Sequence, residues 1–271
     1  MTEPRTTSTA AGRRAELGTL RPGMALLAVV IVLVAGLTAC GDQGNERRRA
    51  DVDLTSLVAS TTKATIKRAP RDDDPTGTTD GRVVHPRRTL AVYAKPGRRP
   101  FAKITRTQMN DTWLPAIDQR GRWTRVLLPS RPNGSTGWLR TARLQERHTP
   151  YVIRVHVGSR RLELVRDGDP LGSWSVAVGA PETPTPVGRT FLLGSIVDDG
   201  QSYSPLILPL GAHSDTLDSY GGGPGTVALH GWPDASVFGQ AVSHGCIRVP
   251  ADALDQLRQV PLGTLVIVDQ Q

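Results

Sequence analysis

The stretch His230-Gly231-Trp232 … Ser243-His244-Gly245-Cys246-Ile247-Arg248 gathers one of the two cysteines and two of the six histidines of this 271-residue chain. A thiol attacks as thiolate, so it needs a nearby imidazole or cation to lower its pKa. His244 stands two residues from Cys246, whereas His230 stands sixteen away and must be returned to the sulfur by the fold. Gly245 has no side chain, which lets the backbone turn sharply and a substrate carbonyl approach the sulfur. The stretch reads as a cysteine acyl-transfer site. Two other readings stay open on residue chemistry alone. Cys246, beside Ile247 and Val249, could be a small buried hydrophobe in a core strand. His230, His244 and Cys246 could also ligate zinc, although a fourth ligand and a paired Cys-x-x-Cys are missing.

Working outward, Thr226 to Leu229 reads as a strand that delivers His230. Ala251 to Val260 reads as a short helix, with Asp252 and Asp255 near its start where the helix dipole favours them. Pro261-Leu262-Gly263 ends it, and Leu265 to Val268 is a closing strand. Upstream, Tyr151–Val157, Leu162–Val165 and Leu171–Val178 read as strands, with an Asp-Gly hairpin signal at Asp167-Gly168. The run Gly179-Ala180-Pro181-Glu182-Thr183-Pro184-Thr185-Pro186-Val187-Gly188 is a proline-stiffened loop before a strand at Arg189–Leu193. Residues 194–225 are polar and glycine-rich and read as a loop, in which Tyr203, His213 and Tyr220 could contact a substrate.

The histidine–cysteine string, the T-P-T-P-x-G loop and the order of hairpins resemble the L,D-transpeptidase catalytic domain of the YkuD-like family, over a domain spanning 150–271. That resemblance implies a β-sandwich with one short helix, working without cofactor or metal. It implies Cys246 as nucleophile and His230 as base, with the Gly231 carbonyl orienting the other ring nitrogen. His244 would be a secondary group near the oxyanion or acceptor, Ser243 would orient the loop, and Arg248 and Tyr220 would meet substrate. Backbone N–H groups near Gly245 and Cys246 are the natural oxyanion donors. The implied activity is that of a peptidoglycan L,D-transpeptidase forming 3→3 cross-links, with stem peptides as donor and acceptor. An L,D-carboxypeptidase, in which water takes the acyl group, and a non-catalytic wall-binding lipoprotein are the alternatives. A sortase would carry Thr-x-Thr-Cys, and papain-like hydrolases place cysteine before histidine; neither pattern is present.

Before this domain, residues 86–148 show short β runs parted by glycine turns, at Leu90–Tyr93, Thr112–Ile117, Trp123–Leu128 and Trp138-Leu139. Their order resembles a bacterial SH3-like barrel, which implies a binding or positioning module without catalytic residues. Trp113, Trp123 and Trp138 either line a groove or fill the small core. Residues 82–149 hold 15 Lys/Arg against 3 Asp/Glu, while 150–271 hold 7 against 12. The basic excess points the module toward an anionic wall polymer or lipid headgroups. Nucleic acid is not expected, since no motif for it appears.

Residues 40–85 are rich in Asp, Arg, Thr, Ser, Gly and Pro and read as a flexible tether. Residues 1–39 combine Arg13, Arg14 and Arg21 with an apolar run from Met24 to Leu37, the pattern of a secretory signal. Leu37-Thr38-Ala39-Cys40 resembles a bacterial lipobox, which implies a lipid on Cys40 and an anchor on the outer face of the cytoplasmic membrane, facing the wall. Cys246 is then left without a disulfide partner, as a reactive thiol would be. The expected architecture is all-β: an SH3-like barrel followed by the sandwich.

Overall fold

The computed structural model describes residues 52–197, 200, 203–219 and 223–271. The signal segment 1–39, lipidation at Cys40 and the contact expected of Tyr220 lie outside the described residues. Val52–Gln271 form one unit.

The first module is built from seven strands: β1 (Arg82–Pro86), β2 (Leu90–Tyr93), β3 (Pro100–Ile104), β4 (Leu114–Arg120), β5 (Trp123–Leu127), β6 (Thr136–Arg140) and β7 (Leu144–His148). They pair antiparallel in the order β3-β2-β6-β5-β4-β1-β7. Period-two alternation turns Val92, Ala102, Ile104, Val126 and Leu139 into a shared core. Trp113, Trp123 and Trp138 are buried, so of the two expectations the core-filling one describes them. Arginines cover their faces: Arg147 over Trp113, Arg140 over Trp123 and Arg120 over Trp138, at 4.5, 4.5 and 5.1 Å from the ring centroids.

The tether expectation is corrected for residues 52–81. Val58, Ser60, Ala64 and Ile66 exchange backbone hydrogen bonds with Lys103 and Arg131, and Thr136 N–H donates to the Pro70 carbonyl. Ile66 and Ala69 enter the core of the first module. The Asp72-Asp73-Asp74 run is spent on arginines, with Asp72 paired to Arg189 through two bonds of 2.5 and 2.8 Å and Asp73 to Arg125 at 2.7 Å. Composition cannot reveal this, because the partners of these aspartates lie 52 and 117 residues away.

The second domain follows with β8 (Tyr151–His156), β9 (Arg161–Arg166), β10 (Asp169–Ser175), β11 (Val178–Gly179), β12 (Gly188–Phe191), β13 (Ile196–Val197), β14 (Leu206–His213), β15 (Thr226–Gly231), β16 (Ala241–Ser243), β17 (Ile247–Val249), α1 (Ala251–Leu257) and β18 (Leu265–Asp269). One sheet runs β10-β9-β8-β18-β12, a second runs β13-β14-β15-β17, and β11 pairs with β16. Ile153, Val155, Leu162 and Leu164 of the first sheet face Leu206, Leu208, Leu229, Ile247 and Val249 of the second, with Leu254 and Leu257 of α1 closing that core. The protein is mostly β, with two sheets packed face to face and one α-helix among the described residues. Leu265-Val266-Ile267-Val268 is buried throughout because its two faces serve two cores: Val266 and Val268 join the sandwich, Leu265 and Ile267 the first module. One strand thus fuses the two halves.

The loop reading of 194–225 is corrected at β14. Leu206-Ile207-Leu208-Pro209-Leu210-Gly211-Ala212-His213 is an eight-residue strand, buried along nearly its whole length. Its Pro209 and Gly211 imitate a loop signal. Pro209 is tolerated because its carbonyl accepts from Leu193 and Gly194, and Gly211 is required because a Cβ there would sit 2.4 Å from the Phe191 ring.

Candidate active site

Two parallel strands bring the expected residues together. β15 and β17 pair with Leu229 opposite Ile247 and His230 opposite Arg248. Leu229, Ile247 and Val249 point into the sandwich core, so alternation turns His230 and Arg248 to the other face. Cys246, one residue before β17, falls opposite Ala228 when the register of the two strands is carried back one residue, and so stands on that same face. Strand geometry sets Cys246 and His230 diagonal to each other, about 8 Å apart between Cα atoms, within side-chain reach.

His230 is buried, and its Nδ1 hydrogen-bonds the Gly231 carbonyl at 2.8 Å. A carbonyl only accepts, so Nδ1 carries the proton and the neutral ring keeps its lone pair on Nε2. Burial lowers the His230 pKa below 6.5, opposed by the Gly231 bond and reinforced by the Arg248 charge. Gly231 N–H in turn donates to Ser204 Oγ at 2.8 Å, and Ser204 Oγ donates to the Leu206 carbonyl at 2.6 Å. The main-chain groups that orient the ring are therefore themselves held. Tyr203 meets the His230 ring edge-on at 5.3 Å, Trp232 stands 6.1 Å away, and the Arg248 guanidinium lies 3.7 Å from the Trp232 centroid.

The loop carrying the cysteine is stapled from two sides. Ser243 Oγ donates to the Cys246 carbonyl at 2.5 Å and accepts from Gly245 N–H at 3.1 Å. Gly245 has φ +109, a conformation L side chains rarely adopt. From the proline-stiffened loop, Thr183 Oγ1 donates to the Ser243 carbonyl and Thr185 Oγ1 to the Gly245 carbonyl, both at 3.0 Å. Thr185 Oγ1 also accepts from Gly179 N–H at 2.8 Å. Sequence reasoning gave these threonines no role. The signal was available, since prolines on either side of Thr185 fix an extended run that can aim alternate side chains one way.

Three expectations change here. His244 is exposed, unlike His230, and sits on the turn rather than on the strand pair. The Gly245 N–H is engaged by Ser243 Oγ, so it does not stand open as an oxyanion donor. Burial raises the Cys246 thiol above its ordinary value of 9.0, against the smaller lowering from the Ala228 bond and Arg248. A neutral His230 supplies no positive charge to offset it. The site therefore rests as thiol and imidazole rather than as thiolate and imidazolium. The remaining histidine that sequence reasoning placed near substrate, His213, is fully buried at the far end of β14.

The β-sandwich thus sets a half-buried cysteine and a buried histidine on neighbouring parallel strands. The family model of the L,D-transpeptidase catalytic domain, YkuD, matches residues 150–268. YkuD of Bacillus subtilis (strain 168), which carries an L,D-transpeptidase assignment, is 30% identical over 122 residues, covering 45% of this chain and 67% of that protein. YqjB of the same strain, assigned likewise, is 30% identical over 127 residues, covering 44% of this chain and 70% of that protein. The chain belongs to the YkuD family of L,D-transpeptidase catalytic domains. Among solved structures, the catalytic domain of the E. faecium L,D-transpeptidase is 24% identical over 44% of this chain and 96% of that chain, with a TM-score of 0.35. Membership rests on the sequence matches rather than on that superposition.

Proposed function

We propose that this chain is a peptidoglycan L,D-transpeptidase that forms 3→3 cross-links through a thioester on Cys246. His230 Nε2 takes the thiol proton as sulfur attacks the carbonyl between the third stem residue and the D-alanine at position four. The C–N bond breaks, the proton passes to the leaving amine, and D-alanine departs. A side-chain amine of a second stem then attacks the thioester, giving its proton to His230, and the sulfur leaves and is reprotonated. The acyl energy of the broken peptide bond is kept in the thioester, so no external energy source enters. The observation that carries this reading is the neutral His230, held by Gly231 with its Nε2 lone pair free to accept a proton, diagonal to Cys246. Such positioned proton transfer contributes about 10²–10⁴-fold. Arg248 and Trp232 form the wall against which the stem would lie.

Incubating the protein with defined stem tetrapeptides and weighing the products tests this. A cross-linked dimer with release of D-alanine is expected, and it disappears in Cys246→Ala. Tripeptide without dimer would make the chain an L,D-carboxypeptidase instead, and no turnover would leave a wall-binding protein.

The 82–148 sheet is proposed as the SH3-like module, and its cations as the contact to an anionic wall polymer. Arg98 and Arg99 in the β2–β3 turn are exposed. Binding of the full chain to such a polymer should weaken as salt rises, because exposed charges are screened within about 10 Å at 0.1 M. The lipid on Cys40 and a place on the outer face of the cytoplasmic membrane belong to the same proposal; fatty-acid labelling that persists in Cys40→Ala would remove them.

A further inference from the structure

The β14–β15 hairpin is gripped from outside its own domain. Asn133, in the turn before β6, pairs with the main chain of His213: Oδ1 accepts from His213 N–H at 2.8 Å and Nδ2 donates to the His213 carbonyl at 2.7 Å. The amide thereby does what a neighbouring strand would do. Arg131 Nη2 donates to the Pro224 carbonyl at 2.5 Å and also reaches the carbonyls of Asp218 and Leu217 at 3.4 and 3.5 Å. His213 Nε2 donates to the Thr62 carbonyl at 2.7 Å.

The grip falls where β14 needs it. Pro209 opposes Ala228 and His213 opposes Thr226, so three residues of β14 span the space of Val227 alone. His213 is the residue that returns to register after this bulge, and its backbone is the one Asn133 holds. Bulges disrupt the ladder locally, and Pro209 has no N–H to add to it. The position of β15 at Thr226–Ala228 therefore depends on an outside support. That stretch lies beside the cysteine: carried back one residue, the β15–β17 register sets Ala228 opposite Cys246, and Gly245 faces Val227.

Resting on the reading of Cys246 as the nucleophile, we infer that Arg131 and Asn133 are positioning residues for it. Through His213 and Pro224 they brace β15, so that Val227 and Ala228 stay beside the turn that carries Cys246. The first module is then part of the catalytic machinery without touching substrate.

The test uses the full chain with Asn133→Ala, Arg131→Met and Arg131→Lys, and Glu146→Gln as an exposed control from the same module. Acylation of Cys246 by a carbapenem, read by intact mass, should fall about tenfold to a hundredfold in Asn133→Ala and Arg131→Met, as sub-ångström to ångström misplacement does. Arg131→Lys, which keeps one charged donor, should recover part of the loss, and Glu146→Gln should match the parent. Two readouts do not require turnover. The pH profile of Cys246 alkylation by iodoacetamide should move to higher pH as the Ala228 backbone, which lowers the thiol pKa, shifts away, and amide exchange at Val227 and Ala228 should quicken. If Asn133→Ala or Arg131→Met does not fold, Arg131→Lys is read on the same two measures. Unchanged alkylation and exchange in the folded variants overturn the brace, even in an active enzyme. A parent protein that neither acylates nor releases D-alanine overturns the functional reading, while alkylation and exchange still decide the brace.

Discussion

At the scale of single residues, Cys246 and His230 are held in their neutral forms by the same cause, burial, acting in opposite directions on the two groups. The histidine pKa lies below 6.5 and the cysteine pKa above 9.0. Acylation that depends on a neutral base should rise with pH through a midpoint below 6.5 and stay level across neutrality. Alkylation by iodoacetamide, which samples thiolate directly, should rise with pH through a midpoint above 9. An alkylation rate already high at pH 6 would instead reveal a preformed ion pair. His230→Ala should lower acylation by about 10²–10⁴-fold and leave the alkylation titration nearly in place, while exposed His244→Ala should retain most acylation. The candidate cysteine and histidine stood out in the sequence because thiols and imidazoles are rare in this chain. The protonation state was not, because burial by Tyr203, Trp232 and the strand pair is a property of the folded site.

At the scale of elements, the loop Gly179–Gly188 matters as much as the strands. Thr185 Oγ1 joins the start of that loop to the cysteine turn, accepting from Gly179 N–H and donating to the Gly245 carbonyl, and is itself buried. Thr185→Val keeps the shape and removes both bonds, leaving a buried amide unpaired at a cost of about 1–3 kcal/mol. Thermal unfolding should show that loss, and acylation of Cys246 should slow because the turn at Gly245 is no longer pinned; an unchanged acylation rate would confine Thr185 to stability. The hairpin from β8 to β9 and on to β10 was readable from alternation and from Asp167-Gly168, both at positive φ as a tight hairpin turn demands. β3 and β7 were not readable: β3 opens on Pro100, and β7 has one buried residue, Leu144, ahead of Gln145, Glu146, Arg147 and His148. β14 was hidden by Pro209 and Gly211, whose reasons lie in Leu193, Gly194 and Phe191, residues distant in sequence. Pattern rules read what a segment prefers alone, and these segments are strands because of what they meet.

At the scale of the whole molecule, the two modules are tied by buried polar contacts, and these fail in distinct ways. The Arg189 and Asp72 side chains are 4% and 3% exposed, and Arg189 also donates to the Gly77 carbonyl. Asp72→Ala should cost up to about 3–5 kcal/mol, since the buried guanidinium would keep only the Gly77 carbonyl and the largely exposed Asp74, 3.6 Å away; chemical denaturation of the full chain measures it, and a loss under 1 kcal/mol would mean that these partners or water replace Asp72. The His213 contact should fail with acid. Burial, and then the Arg131 charge, bring its pKa from 6.5 to about 4, against the raising effect of the Thr62 bond. Between those values the unfolded chain binds a proton that the native state refuses. The stability this histidine contributes is therefore full above pH 6.5 and is lost as pH falls toward 4, by about 3 kcal/mol at the limit. Its Nδ1 is buried without a hydrogen-bond partner, so protonation would turn it into an unmet donor beside the Arg131 charge. His213→Gln keeps an N–H to offer the Thr62 carbonyl and removes the titration. Urea midpoints of the parent should drop between pH 6.5 and 4 more steeply than those of His213→Gln, whereas parallel slopes would place the acid-sensitive group elsewhere.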